Sequence, residues 1–180
     1  MSGAARSIEI RPLAATDLAA AVAIQDATYP AFLREPATAF ASRLALGASY
    51  CFAAHIDGVL AGYLLAHGWQ REAPPPVGAA LIDDGARDVL FIHDLAVASA
   101  ERGTGIGRAL VAQGIAAATA DGITAAELIA VEGASAFWAG MGFAQAPTSP
   151  ALAAKVAGYG PHARWMTRAI GLASHPDGLA

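Results

Sequence analysis

Glu101-Arg102-Gly103-Thr104-Gly105-Ile106-Gly107-Arg108 links an apolar, β-rich run, Val89–Val97, to a helix-forming stretch over 104–120. Three glycines at alternate positions let the backbone adopt φ > 0 and come close to a ligand. The turn opens directly into the helix, where the first N–H groups are free and the macrodipole places partial positive charge. An anion is favoured there, and a pyrophosphate suits the combination. Two nucleotide signatures fail. The dinucleotide fingerprint GxGxxG needs a third glycine where Arg108 stands. The NTPase loop GxxxxGK[ST] needs a lysine, and Lys155 is far from any such run. Glycines of this kind can also simply end a strand and let a helix pack tightly.

The flanking sequence reads as a mixed α/β (α+β) sheet. Residues 8–13 alternate apolar and polar and stop at a proline, a short strand. Thr16 or Asp17 is expected to cap a helix to about residue 27, and a second helical pattern covers 36–46. The runs 50–56 and 59–67 flank Asp57-Gly58, a strong hairpin signal. Residues 69–87, with Pro74, Pro75 and Pro76, read as loop. Val89–Val97 is a central strand, 104–120 a helix closed by Asp121-Gly122, and 126–131 another strand. A short helix over 134–141 stops at Gly142, and closing strands are expected from Phe143 onward and over 163–170.

The chain has 180 residues, 14% of them charged against a usual share of about 25%. That length supports one domain with its own core, and the low charge suits a homodimer that covers part of the surface. Net charge is −4, and the arginines are scattered, which argues against nucleic-acid binding and a polybasic membrane anchor. Residues 1–6 lack an apolar signal segment, and the uncharged stretch 133–154 is broken by glycines and prolines. The expected compartment is the cytoplasm. The one cysteine, Cys51, lies in a strand pattern and reads as an inert buried thiol.

Arg102-x-x-Gly105-x-Gly107 fits the [QR]xxGx[GA] pattern of acetyl-coenzyme A binding. Here the sequence resembles the GNAT superfamily of N-acetyltransferases. Phe91-Ile92-His93-Asp94-Leu95-Ala96-Val97 followed by the glycine turn resembles that family's central strand–turn–helix, and Phe137-Trp138-Ala139-Gly140-Met141-Gly142-Phe143 its (F/Y)YxxxGF segment. The resemblance covers about residues 8–170 and implies one GNAT domain, with residues 171–180 as a flexible tail. It implies acetyl-coenzyme A as co-substrate. Leu95, Ala96 and Val97 would offer backbone groups to the pantetheine arm, and Arg102, Gly103, Thr104, Gly105, Ile106, Gly107 and Arg108 would hold the pyrophosphate. Ser135, Phe137 and Trp138 would complete the cofactor side.

The implied mechanism is direct attack of an amine on the thioester within a ternary complex. His93 is the side-chain candidate for the base. The arylalkylamine (serotonin) N-acetyltransferases carry two histidines before the matching Leu-Ala-Val; one falls on His93, the other on Phe91, so that partner is missing. A core histidine bonded to backbone is the plainer alternative. Strand alternation puts 91, 93, 95 and 97 on one face and Asp94 on the other, where capping a nearby loop is its expected role. Trp138 stands where the family usually has its tyrosine acid, and an indole N–H is no general acid. Water, or Tyr159, is left to protonate the thiolate, or the chain binds coenzyme A without turnover.

The acceptor pocket is expected from the 26–46 region and the loop at 69–84. Tyr29, Phe32 and Trp69 are substrate candidates, beside Phe40 and the acids Glu35, Glu72, Asp83 and Asp84. For most of these, ordinary core packing for the aromatics and solvated surface for the acids is the favoured reading. His55 and His67 read as structural. His162 and His175 lack partners at chelating spacing, so no metal is expected. The leading function is acetyl transfer to the primary amine of a small molecule. The alternatives are a non-catalytic acyl-coenzyme A binding module and a protein or peptide N-acetyltransferase.

Overall fold

A computed structural model describes residues 6–171. The expectations for residues 1–5 and for the tail at 172–180, including His175, lie outside the described residues. The chain forms a seven-stranded sheet in the order β1-β2-β3-β4-β5-β7-β6. Its strands are β1 (Ile8–Pro12), β2 (Phe52–Ile56), β3 (Val59–Trp69), β4 (Val89–Val97), β5 (Ala125–Ala130), β6 (Ala144–Gln145) and β7 (Arg164–Ala169). Only β4 and β5 run parallel; the other neighbours are antiparallel. The helices are α1 (Leu18–Thr28), α2 (Ala37–Leu44), α3 (Ile106–Ala120), α4 (Ser135–Gly140) and α5 (Pro150–Ala157). The expected mixed α/β sheet is what forms.

Each face of the sheet buries its own apolar set. On one, Leu110 and Val111 of α3 and Trp138 of α4 meet Leu64, Leu90, Ile92 and Leu128. On the other, Ala21 of α1 and Phe40 of α2 meet Cys51, Tyr63, Leu65 and Ala96. Further along that second face, Leu152 and Val156 of α5 meet Phe91, Ile129 and Trp165. The Asp57-Gly58 hairpin forms as expected, with φ of 49° and 81° at its two central residues, the primed-turn geometry that suits strand twist.

Three local expectations are corrected. The strand expected from Phe143 onward is confined to Ala144–Gln145, and α5 follows it. Ser149 caps α5 by accepting the Leu152 N–H at 3.1 Å, and Pro150 occupies the first turn, where its missing N–H is harmless. Neither Thr16 nor Asp17 caps α1 with its side chain. Asp17 instead accepts from Ala14 N–H, Arg11 and His55 at 3.0 Å each, in a buried cluster joining β1 and β2. The third correction concerns β4. Leu65 pairs with Asp94 while the next residue, Ala66, pairs with Ile92. His93 is therefore the extra residue of a β-bulge, which resets the alternation of side chains. Phe91, His93, Asp94 and Ala96 all contact the groups on the α1/α2 face, whereas Ile92, Leu95 and Val97 pack toward α3. Asp94 thus shares a face with His93, and it accepts from Tyr63 rather than capping a loop.

Two stability predictions follow from packing and burial. A Cβ on Gly114 of α3 would sit 2.6 Å from Leu64 Cδ2, itself fully buried in β3. Gly114→Val should destabilise the fold by about 1–3 kcal/mol through overpacking, read as a lower urea midpoint; an unchanged midpoint would show that α3 can shift off the sheet. Burial pulls the His67 imidazole down to about 3, whereas the unfolded chain holds it near 6.5. Between those values only the unfolded chain binds the proton, so stability falls as pH drops below about 6.5, by about 1.4 kcal/mol per unit. His67→Phe should flatten urea midpoints measured from pH 7 to pH 4, and identical slopes would remove His67 as the cause.

Candidate active site

The glycine turn builds one end of the site. Gly103 and Gly105 have φ of 79° and 90°, and a Cβ on either would meet nothing within 4 Å, so the outer side of the turn is open. The first helical bond of α3 runs from Ala109 N–H to Gly105 C=O at 3.0 Å. The amides of Ile106, Gly107 and Arg108 therefore precede it and point out of the helix end. Arg102 donates to Thr28 Oγ1 at 3.4 Å; Arg108 donates to Gly140 C=O at 3.1 Å and lies over the Phe137 ring at 5.8 Å. Free amides, a helix dipole and two guanidinium groups suit the pyrophosphate expected of coenzyme A.

The turn opens into a cleft of about 790 Å³. It forms because β4 pairs with β5 only through Leu90, Phe91 and Ile92. Beyond Ile92 the strands separate, and residues 92–97 form one wall opposite Ile129, Val131 and Glu132. Leu95, Ala96, Val97, the whole run from Arg102 to Arg108, Phe137 and Trp138 line this cleft as expected. Trp138 is buried, with its ring edge-on to Phe137 and Phe143 at 5.1 and 5.5 Å. Ser135 begins α4 but does not reach the cleft; Ala134, Phe137 and Trp138 form that wall.

The far end is built from four separate parts of the chain. Tyr29, Leu33 and Glu35 come from the connection between α1 and α2, Val77 from the proline segment, His93 and Asp94 from β4, and Tyr159 from the end of α5. Of the expected substrate residues, Tyr29 is present. Phe32 is not: it is 53% exposed and packs toward Gly160. Trp69 is not either, because it ends β3 opposite Val89, meets the His67 ring edge-on and donates its indole N–H to Ala73 C=O at 2.8 Å. Glu72, Asp83 and Asp84 stay outside the cleft, with Asp83 holding Gly47 and Gly85 amides.

The polar groups at this end are buried and mutually engaged. His93 Nε2 lies 2.9 Å from both Glu35 carboxylate oxygens and 2.8 Å from Arg43 Nη2. Burial pushes the Glu35 carboxyl upward, but the His93 contact, the Arg43 charge and the Gly78 N–H together hold it below its ordinary value. Asp94 is raised by burial, against the hydroxyl donated by Tyr63 at 2.6 Å. Tyr29 donates to Leu95 C=O at 2.7 Å, and Tyr159 donates to Pro75 C=O; burial raises both phenols. Arg43 was not singled out by the sequence. As an arginine on a short amphipathic helix it carries no local signal, and its complete burial is a product of the fold. Among the described residues no group of three histidine, cysteine or acidic side chains is placed to hold a metal, and no helix is long and apolar enough to cross a membrane.

The fold matches several solved structures. The ribosomal-protein-S18-alanine N-acetyltransferase from Escherichia coli aligns with a TM-score of 0.65 and 20% identity, covering 96% of this chain and 100% of that one. Salmonella typhimurium yncA, solved with its cofactor acetyl-CoA, gives 0.65 and 19%, covering 96% and 99%. Ard1 from Thermoplasma volcanium gives 0.67 and 14%, covering 91% and 97%. A search among curated proteins returns no match. The model of the Acetyltransferase (GNAT) family matches residues 18–143, well over half of the chain, and the protein belongs to that family.

Proposed function

We propose that the protein transfers the acetyl group of acetyl-coenzyme A to the primary amine of a small molecule with an apolar body. One observation carries this reading: a single cleft joins the amide-rich turn at α3 to a buried, acid-bearing, largely apolar end. Residues 102–108 hold the pyrophosphate, and β4 backbone groups at Leu95, Ala96 and Val97 accompany the pantetheine arm past Phe137 and Trp138. Acetyl-coenzyme A supplies the thioester that serves as acyl donor.

His93 takes a proton from the substrate ammonium. The neutral amine nitrogen then bonds to the acyl carbon as the carbon–sulfur bond breaks, with β4 amides facing the oxygen where charge develops, and the second proton of that nitrogen passes through water to the departing thiolate. Holding both reactants in one cleft supplies much of the rate. Trp138 has no proton to give, and Tyr159 directs its hydroxyl to Pro75. Water therefore protonates the thiolate, whose pKa near 8.5 makes it a tolerable leaving group.

Charge and shape both bear on the acceptor. Leu33, Val77, Ile129 and Val131 favour an apolar body, and the Asp94 carboxyl favours a cation over an anion. Arg43, the cation nearest this end, is already matched by Glu35 at 3.4 Å and leaves no charge for a substrate carboxylate. The segment around Pro75–Gly78 is tied down by Tyr159 and by the Gly78 N–H to Glu35 at 2.6 Å, which narrows this end against a polypeptide.

Free coenzyme A release from acetyl-coenzyme A, measured against monoamines, amino acids and short peptides, should be stimulated most by aromatic or aliphatic monoamines. Stimulation by peptides alone, or silence while acetyl-coenzyme A binds, would overturn the small-amine reading. Gly105→Asp places a carboxylate in the anion cradle at a φ of 90°, with open space around it. The variant should remain folded and lose at least about tenfold in acetyl-coenzyme A affinity, or about 1.4 kcal/mol; undiminished affinity in calorimetry would sink the cradle.

A further inference from the structure

We infer that Glu35 is a positioning residue: it holds His93 as the Nε2–H tautomer and thereby presents Nδ1 as the nitrogen that accepts the substrate's proton. The inference rests on the proposed role of His93 as base and specifies how this chain would build that base.

Glu35 and His93 side chains are each 3% exposed. Nε2 faces Oε1 and Oε2 of Glu35, both at 2.9 Å, while Nδ1 is buried and has no hydrogen-bond partner among the described residues. A neutral imidazole carries one proton. With that proton on Nε2, the carboxylate gains a donor and Nδ1 keeps a free lone pair. With it on Nδ1, a lone pair would face two carboxylate oxygens and a buried N–H would lack an acceptor. Arg43 Nη2 also approaches Nε2, at 2.8 Å, but Arg43 has other acceptors in Glu35 Oε1 and Ala39 C=O.

Glu35 is itself held firmly. Gln25, also buried, accepts the Glu35 backbone N–H at 2.8 Å and donates to its C=O at 3.0 Å, and the Gly78 N–H donates to Oε1 at 2.6 Å. The His93 ring is bracketed by Phe91 and Tyr159, with centroids 6.0 and 6.5 Å away. Charged or titratable groups packed on this side include Arg43 of α2, Cys51 just before β2, His67 and Tyr63 of β3, Asp94 of β4, Tyr29 after α1, and Tyr159 after α5. Glu35 is the carboxylate in direct contact with the ring. When Nδ1 takes the ammonium proton, the amine becomes neutral and the ring becomes an imidazolium. Glu35 offsets that charge, and the ring later releases the proton to solvent.

The test uses full-length protein labelled with [15N]histidine, the His93 signals being assigned by their loss in His93→Gln. At mildly alkaline pH the wild-type ring should show a protonated Nε2 and a bare Nδ1. A protonated Nδ1 would overturn the inference, and this readout needs no Glu35 variant to fold. In Glu35→Gln the carboxylate charge is gone while Arg43 remains, so the imidazolium is less favoured. The acid limb of kcat/KM should move to lower pH. The plateau should fall about tenfold, as a weaker base removes less of the barrier. An unmoved kcat/KM profile would overturn the role of Glu35. If His93→Gln leaves the kcat/KM profile unchanged, the base assignment itself fails, whatever tautomer the ring shows.

Discussion

The separation of β4 from β5 after Ile92 is the constraint on which the site depends. Parallel strands normally share a continuous ladder, and a backbone that leaves it must find other partners. Here the bulge at His93 inserts one extra residue against β3 and turns the rest of β4 away from β5. Tyr29 reaches across to satisfy the Leu95 carbonyl at 2.7 Å. The other backbone groups along that edge line the cleft, at the place where the glycine turn aims the end of α3. One irregularity in one strand thus opens the cleft, exposes a polar wall along β4, and brings that wall to the open N-terminal end of α3.

The same bulge decides the electrostatics of the acceptor end. Regular alternation would have sent His93 and Asp94 to opposite faces. With the register reset, both face α1 and α2, and a histidine, two carboxyls and an arginine meet within a largely apolar surrounding. In such a place an unpaired charge is costly, so the groups form two linked sets, Glu35–His93–Arg43 and Asp94–Tyr63. Buried pairing of this kind is weak evidence of stability, because apolar packing often does as well. The pairing holds the His93 ring in place at the wall of the cleft.

The proline segment after β3 contributes through its backbone. Pro75 offers a carbonyl to Tyr159 and Gly78 an amide to Glu35. A stretch with few conformations of its own is well suited to being held at fixed points. It ties the end of α5 to the connection between α1 and α2, and so joins the two ends of the chain around the acceptor end of the cleft.

What was legible in the sequence was local. The glycine turn, the Asp57-Gly58 hairpin, the apolar run of β4 and the family pattern spanning them are encoded in neighbouring residues, through backbone freedom, turn chemistry and periodicity. They were sufficient for the fold class and for placing the glycine turn beside its strand and helix, because those three are contiguous in the chain. Even α5 had a local signal in Ser149-Pro150, hidden by an assumed longer strand. The acceptor end had no such signal. Its groups come from residues 29–43, 77, 93–94 and 159, and nothing near Arg43 in the sequence says that it will be fully buried. Trp69 and Phe32 have the composition of pocket residues and end up elsewhere. A bulge is invisible to periodicity, since it is a relation between two strands. Which side chains share a face, which charges pair, and which nitrogen of His93 is left free were therefore decided only when distant segments packed together.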